Sequence, residues 1–240
     1  MPGLPTAYHE LEAIYARTLG QGMRSLALCA ANSGEGVTTL AEALAQRSRV
    51  TGRRVLLVEM NLYQPTLAAH FGVERQAWLP SGGKLSVEQA AVPIIHQQGG
   101  LGILPASLAR EASMRLRDPE VLASSLQGWL EHYDHVIFDT SPLTATNQNN
   151  IPAEQVCAAC DGCVLIVLAG RTSETAVRQA MRRLRVANAR LVGAVLNDLV
   201  NPSLARELLR ETWRLERRAP RLAAWLRTKI SASGLLNVPV

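Results

Sequence analysis

Residues 30–40, with the sequence AANSGEGVTTL, combine glycines with hydroxyl side chains between an apolar run and an amphipathic stretch. A strand, a glycine-containing turn and a helix N-terminus form an anion site, because backbone N–H groups and the helix dipole point at the ligand. Glycine also allows phosphate oxygens to approach closely. The pattern predicts a nucleotide-phosphate pocket, and an ordinary strand-to-helix turn is the alternative. The candidate binding residues are Gly34, Glu35, Gly36, Val37, Thr38 and Thr39.

Two oxygen-bearing side chains could hold Mg²⁺ at this loop. Thr38 offers a hydroxyl, and Asp139 ends the apolar run 134–140, where parallel strands present functional groups. A Walker A loop places a lysine immediately before the Ser or Thr, and that position is Val37 here. Asp139 is the one catalytic candidate that the pattern retains, and a cap on the following turn is its alternative role.

Cys157, Cys160 and Cys163 form a C-x-x-C-x-x-C pattern, which can indicate an iron–sulfur or zinc site. Cys163 opens an apolar run, whereas the other two belong to the preceding helical stretch. We therefore do not expect the thiols to converge. We interpret these cysteines as small apolar residues of the core.

Short apolar runs alternate with amphipathic stretches along the chain, which predicts an α/β fold with a doubly wound, mostly parallel sheet. The apolar runs are 25–30, 54–60, 100–106, 134–140, 163–169 and 190–197. The amphipathic stretches are 37–51, 86–92, 119–132, 153–159 and 173–187. Residues 79–84 are expected to form a loop.

The flanks suggest three segments: an N-terminal arm or helix (1–22), a P-loop α/β domain (23–200) and a basic helical tail (201–240). A helix is expected over 7–19, and another over 203–230 that breaks or kinks at Pro220. One basic face of the tail could contact a partner or a membrane surface. Its residues are Arg206, Arg210, Arg214, Arg217 and Trp225. Interrupting glutamates favour the alternative, in which the helix covers the sheet and its arginines face solvent.

Composition fits one globular domain of 240 residues with 48% hydrophobic content. No apolar run is long enough for a membrane span, and the acidic first residues do not form a signal peptide. We therefore expect a cytoplasmic protein. The net charge of +5 suits an acidic partner or lipid, but aromatic residues do not interleave with the arginines, so nucleic acid is not expected.

Three motifs resemble the cytoplasmic domain of the bacterial tyrosine kinases (BY-kinases) of capsule and exopolysaccharide export, within the MinD/ParA-type deviant Walker group of P-loop NTPases. Residues 33–39 (SGEGVTT) match the family's P-G-E-G-K-S-T loop. Residues 55–65 (VLLVEMNLYQP) match V-L-L-I-D-A-D-L-R-R-P, and residues 133–142 (YDHVIFDTSP) match Y-D-x-V-I-I-D-T-P-P. The resemblance spans about residues 10–198 and implies a P-loop fold that binds ATP or ADP with Mg²⁺.

The residues that differ from the family motifs stand at positions where the family places its catalytic and phosphate-binding side chains. Val37 and Asn32 stand where the group places lysines, and Asn61 stands where it places a carboxylate that acts on magnesium and the attacking hydroxyl. Tyr63 and Gln64 replace arginines. Loss of one pre-aligned transition-state donor costs on the order of 10²–10³ in rate. We therefore expect weak or no nucleotide binding and no efficient kinase activity.

The family's C-terminal tyrosine cluster and its E-x-x-R-x-x-R oligomer motif are also not matched. The last ten residues contain no tyrosine, and Glu12 is followed by Tyr15 and Thr18 at the arginine positions. A closed ring of the family type is not expected, although another homo-oligomer stays open.

The resemblance implies a catalytically degenerate regulatory or scaffolding protein of exopolysaccharide or capsule biosynthesis and export. Its implied partner is an inner-membrane polysaccharide co-polymerase of the chain-length determinant type, which would place the chain at the inner face of the inner membrane. Two alternatives remain. One is an active ATPase or autokinase that phosphorylates Tyr8 or Tyr15, with an arginine in place of the lysine: Arg24, Arg53, Arg54 or Arg171. The other is a MinD/ParA-like positioning ATPase that cycles on a membrane or DNA.

Overall fold

The computed structural model describes residues 9–62, 64–80, 92–95, 100–145, 150–198, 212 and 220–232. The chain divides into two compact units, Met1–Asn197 and Asp198–Val240. The predicted boundaries at residues 22 and 200 remain a prediction.

A twisted sheet forms the centre of the first unit, as the apolar runs predict. Its strands are β1 (Ser25–Ala30), β2 (Val55–Glu59), β3 (Val92–Ile95), β4 (Gly100–Leu104), β5 (His135–Asp139), β6 (Gly162–Leu168) and β7 (Leu191–Asn197). They follow the order β3-β4-β2-β5-β1-β6-β7, and β3 runs antiparallel to β4 while the other neighbours are parallel. The predicted mostly parallel α/β sheet is confirmed, and β3 is an additional edge strand.

Helices cover both faces of this sheet. They are α1 (His9–Arg17), α2 (Val37–Val50), α3 (Leu67–Phe71), α4 (Arg110–Leu116), α5 (Pro119–His132), α6 (Ala153–Ala159) and α7 (Glu174–Val186), with a 3-10 turn at Leu19–Gln21. The predictions for α1, α2, α5, α6 and α7 are confirmed to within two residues. A helix is also predicted over 86–92. Residues 86–91 lie outside the described part of the chain, and Val92 begins β3.

The central strands are buried on both faces, so they separate two apolar clusters. On one face α1 and α2 contribute Leu11, Leu40 and Leu44 to a cluster with Leu28 and Leu57. On the other face α5, α6 and α7 pack against β1, β2, β5 and β6. That second cluster includes Trp129, Val156, Leu184, Phe138 and Val58. This two-sided packing is the doubly wound arrangement that the sequence predicts.

The cysteines depart from the sequence expectation. Cys157 and Cys163 do interact in the core, together with the Cys29 thiol from β1. The prediction that the thiols stay apart is therefore wrong for this pair, because α6 packs directly over β1 and β6. Cys160 lies nearer Ser25 and Asp161. All four thiols are buried; hydrogen bonding with Cys163 and Cys29 raises the pKa of Cys157, and burial raises the pKa of Cys160.

In the second unit, the described helix α8 (Pro220–Ala232) begins at the proline that was predicted to break the tail. Trp225 is 57% exposed on it. The tail arginines that were predicted to share its surface lie outside the described residues: Arg206, Arg210, Arg214 and Arg217. Among the described helices, none is both long and apolar enough to cross a membrane.

Candidate functional site: the loop between β1 and α2

The loop between β1 and α2 has the backbone of a phosphate-binding turn. Gly34 and Gly36 have φ angles of +79° and +101°, a left-handed conformation that L side chains rarely adopt. Gly36 caps α2, and its carbonyl accepts the first helical bond from the Leu40 N–H at 3.0 Å. The helix N-terminus therefore lies where an anion would sit.

The two predicted magnesium ligands meet at this loop. The Thr38 hydroxyl donates to Asp139 Oδ2 at 2.7 Å, because Asp139 ends β5 beside β1 in parallel register. Within the described residues, no group of three or more His, Cys, Asp or Glu side chains could hold a metal ion. Mg²⁺ usually combines one or two protein ligands with phosphate oxygens and water. Thr38 and Asp139 therefore fit this ion when a nucleotide supplies the remaining oxygens.

Asp139 lies in surroundings that disfavour its charge. The pKa of its carboxyl is raised to about 7, mainly by burial; the Thr38 hydrogen bond lowers it, and the charges of Glu59 and Glu42 add to the increase. Its second oxygen, Oδ1, is buried without a hydrogen-bond partner. These surroundings therefore favour the protonated, uncharged form of Asp139 over the carboxylate.

The two positions that lack lysine supply no charge to the loop. Val37 is half-buried and packs against the apolar cluster beneath α2. The Asn32 amide donates to Glu35 Oε1 at 2.8 Å. Both side chains thus serve the loop's own structure.

Glu35 has a role that sequence reasoning missed. Its side chain is buried, and Oε1 also accepts from the Thr172 hydroxyl at 2.6 Å. Asn197 at the end of β7 donates to the Glu35 carbonyl at 2.9 Å. These bonds join the loop to the turn after β6 and to β7, while Oε2 is buried without a partner. A buried carboxylate beside the loop opposes the approach of an anion. Thr39, the remaining predicted binding residue, is exposed.

Strand β2 carries the second family motif (residues 55–65) and ends at Glu59, a carboxylate with a structural role. Glu59 is fully buried, and its Oε1 accepts from the backbone N–H groups of Thr66 and Leu67, at 2.5 and 2.9 Å. Oε2 accepts from the Ala106 N–H at 3.1 Å. Asn61 Oδ1 accepts from the Gln64 N–H at 3.3 Å, and Tyr63 lies outside the described residues.

Three of the four arginines proposed to replace the lysine lie at the wrong edge of the sheet. Arg24 precedes β1, and Arg53 and Arg54 precede β2, whereas the loop follows the carboxyl end of β1. Parallel strands place these ends at opposite edges. Arg171 is different, because it lies in the turn whose neighbour Thr172 contacts the loop.

Tyr15 is also far from the loop. Its hydroxyl lies 3.2 Å from the Thr51 hydroxyl, at the C-terminal end of α2. A helix of this length spans about 20 Å, and the loop is at its other end. Transfer from the loop to Tyr15 within one molecule is therefore excluded by distance.

Sequence comparisons identify relatives of this chain. The family described as "Cellulose biosynthesis protein BcsQ" matches residues 23–227. The tyrosine-protein kinase YwqD of Bacillus subtilis is 30% identical over 183 residues, which cover 73% of this chain and 72% of YwqD. The succinoglycan biosynthesis transport protein ExoP of Rhizobium meliloti is 24% identical over 74% of this chain, but the match spans 22% of ExoP.

Solved structures show the same fold. The VpsO kinase domain has a TM-score of 0.65 and 24% identity, covering 78% of this chain and 90% of VpsO. The septum site-determining protein MinD from Pyrococcus horikoshii, complexed with Mg-ADP, has a TM-score of 0.56 and 25% identity, covering 72% and 70% of the two chains. The chain therefore belongs to the BcsQ family of cellulose biosynthesis proteins and is a BY-kinase-like P-loop domain of the MinD/ParA type.

Proposed function

We propose that this chain is a catalytically degenerate regulatory or scaffolding protein of exopolysaccharide biosynthesis and export. The family description makes cellulose the first polysaccharide to test. In this proposal the P-loop fold is kept as a rigid body for docking, and phosphoryl transfer is lost.

The packing of Val37 is the observation that carries the proposal. Phosphoryl transfer depends on positioned positive charge around the transferring group. At this loop the lysine position holds an apolar side chain that packs into the core, and the neighbouring Glu35 and Asp139 each have a buried oxygen without a hydrogen-bond partner. A bound triphosphate would meet carboxyl groups where kinases provide cations.

A membrane-embedded co-polymerase is the partner we propose. The match to ExoP covers about a fifth of that transport protein, so ExoP joins a segment like this chain to a much longer sequence. We propose that this chain docks from the cytoplasmic side onto a separate protein of that kind, at the inner face of the inner membrane. The exposed Trp225 and the arginines of the tail are the proposed contact surface.

Calorimetric titration of ADP and ATP with Mg²⁺ tests the degenerate loop. We expect weak or no binding by the wild type and at least about tenfold tighter binding by Val37→Lys, since a charge-assisted hydrogen bond contributes roughly 1.5–3 kcal/mol. Val50→Lys is the matched control, because Val50 is 60% exposed at the other end of the same helix. Equal gains from both variants would show that added charge alone attracts the nucleotide.

Catalysis is tested separately. If the wild type hydrolyses ATP and either Asp139→Ala or Arg171→Gln abolishes the hydrolysis, the chain is an active enzyme and the proposal is wrong. In cells that lack the chain, Asp139→Asn should restore polysaccharide output as fully as the wild type does. Loss of output at an unchanged protein level would contradict a scaffolding role.

A further inference from the structure

We infer that a second binding site, for a small phosphorylated ligand, lies at the opposite edge of the sheet from the phosphate loop. A cavity of about 420 Å³ opens there, beside the amino ends of β1, β2 and β5. Its lining residues are Tyr15, Leu19, Gly20, Gly22, Arg24, Arg53, Asp134 and His135. Its volume lies in the range typical of small-molecule pockets.

Two arginines give the cavity positive charge without a matching acid. Arg24 is held in place, since its Nη2 donates to the carbonyls of Leu130 and Tyr133 at 2.5 and 3.3 Å. Carbonyls orient the guanidinium but do not neutralise it. The Arg53 side chain is exposed and makes no hydrogen bond or ion pair with any residue in the described ranges.

The one acid in the lining is already engaged. Asp134 Oδ2 accepts from the backbone N–H of Arg54 at 2.8 Å, and Oδ1 accepts from the Arg54 guanidinium at 3.2 Å. That arginine also lowers the pKa of the Asp134 carboxyl through these bonds. The cavity with this ion pair therefore carries an excess of two positive charges, from Arg24 and Arg53.

His135 adds a third group that can become cationic. It is buried, and its Nδ1 lies 2.6 Å from the buried Ser48 hydroxyl, which leaves Nε2 for a ligand in the cavity. Burial lowers the pKa of His135, and the charges of Arg53 and Arg24 lower it further against the opposing Asp134. A bound dianion would reverse the effect of the arginines and favour the protonated ring.

The remaining wall suits the organic part of a ligand. Leu19 is buried beside the cavity, and Tyr15 is fixed by its hydrogen bond to Thr51 and by Arg47, whose guanidinium carbon lies 4.5 Å from the ring centroid. Arg47 itself pairs with Glu12, so its charge is balanced. Two guanidinium groups and an ordered tyrosine ring in one cavity fit a phosphate ester, since arginine binds phosphate oxygens bidentately.

Pyrophosphate is the probe for the first test, with amide chemical shifts as the readout. We expect it to shift the amides of Gly20 and Gly22, and Arg53→Gln should weaken binding about tenfold. Arg182→Gln is the matched control, because Arg182 is an exposed arginine on α7. Shifts confined to Gly34 and Gly36 would place the ligand at the phosphate loop and overturn the inference.

Sulfate tests whether His135 takes part in binding, because its charge is constant between about pH 5.5 and 8. Saturating sulfate should raise the pKa measured from the His135 ring protons, and sulfate should bind more tightly as the pH falls. Arg53→Gln should reduce both effects, whereas Arg182→Gln should not. A His135 titration that sulfate leaves unchanged would overturn the inference, and neither outcome depends on whether the loop binds nucleotide.

Discussion

Replacing Asp139 with asparagine should make the protein more stable at alkaline pH. Asp139 and the Thr38 hydroxyl are joined by a hydrogen bond that asparagine can still accept through its side-chain oxygen. The variant thus keeps the shape of the site and removes the ionisable proton. What changes is the cost of holding a carboxylate in a buried position.

The magnitude follows from the pKa of Asp139, which rises from the usual 3.8 to about 7 in the folded protein. A difference of this size corresponds to a cost of roughly 4 kcal/mol once the buried group is fully ionised. The unfolded chain releases this proton at lower pH than the folded protein does. Stability is therefore lost as pH rises through the window between 3.8 and about 7.

Urea unfolding of the wild type and Asp139→Asn at about pH 5 and about pH 8 measures this effect. The variant's advantage in free energy of unfolding should grow by roughly 2.5 kcal/mol between the two pH values. Other titrating groups are shared by both proteins and cancel in the comparison. Glu131→Gln, at an exposed position, is the control and should show no such growth. A constant gap would mean that Asp139 is ionised throughout, and the description of its surroundings would then be wrong.

Two further substitutions test the frame around the loop. Glu59→Gln should lower the free energy of unfolding by about 3 kcal/mol in urea denaturation, because an amide cannot accept from all three backbone N–H groups. Because the Glu59 charge raises the pKa of Asp139, the same variant should show a weaker pH dependence of stability. An unchanged free energy of unfolding for Glu59→Gln would contradict the assigned contacts. Gly36→Ala should lower the melting temperature more than Gly34→Ala, although both glycines have positive φ angles. A Cβ at Gly36 would lie 2.5 Å from Asn197 Nδ2, whereas one at Gly34 meets nothing within 4 Å. Equal melting temperatures would refute the close contact.

The apolar runs were sufficient to predict the parallel core of the fold, because strands buried on both faces leave a continuous apolar signal. The elements that escaped prediction are short. Helix α3 has five residues, too few to show a helical period, and the seven-residue helix α4 was not predicted either. The edge strand β3 has the sequence VPII, and a proline argues against a strand except at an edge or a bulge.

Sequence reasoning placed the loop and its missing lysine but assigned some side chains wrongly. Arg24, Arg53 and Arg54 are near strand starts in sequence, and strand direction alone would have placed them away from the loop. The role of Glu59 left a weak signal, since it is an acid at the end of an apolar strand. The bond between Thr172 and Glu35 joins residues 137 positions apart, and no local pattern reports such a contact.

The first helix has a consequence for anyone who shortens the chain. The family match begins at residue 23, yet Leu11 and Leu19 are each 3% exposed within the cluster beneath α2. A fragment trimmed to the matched region would uncover apolar side chains on α2 and leave Arg47 without Glu12. Such a fragment should aggregate on purification, and its behaviour would say nothing about the intact protein.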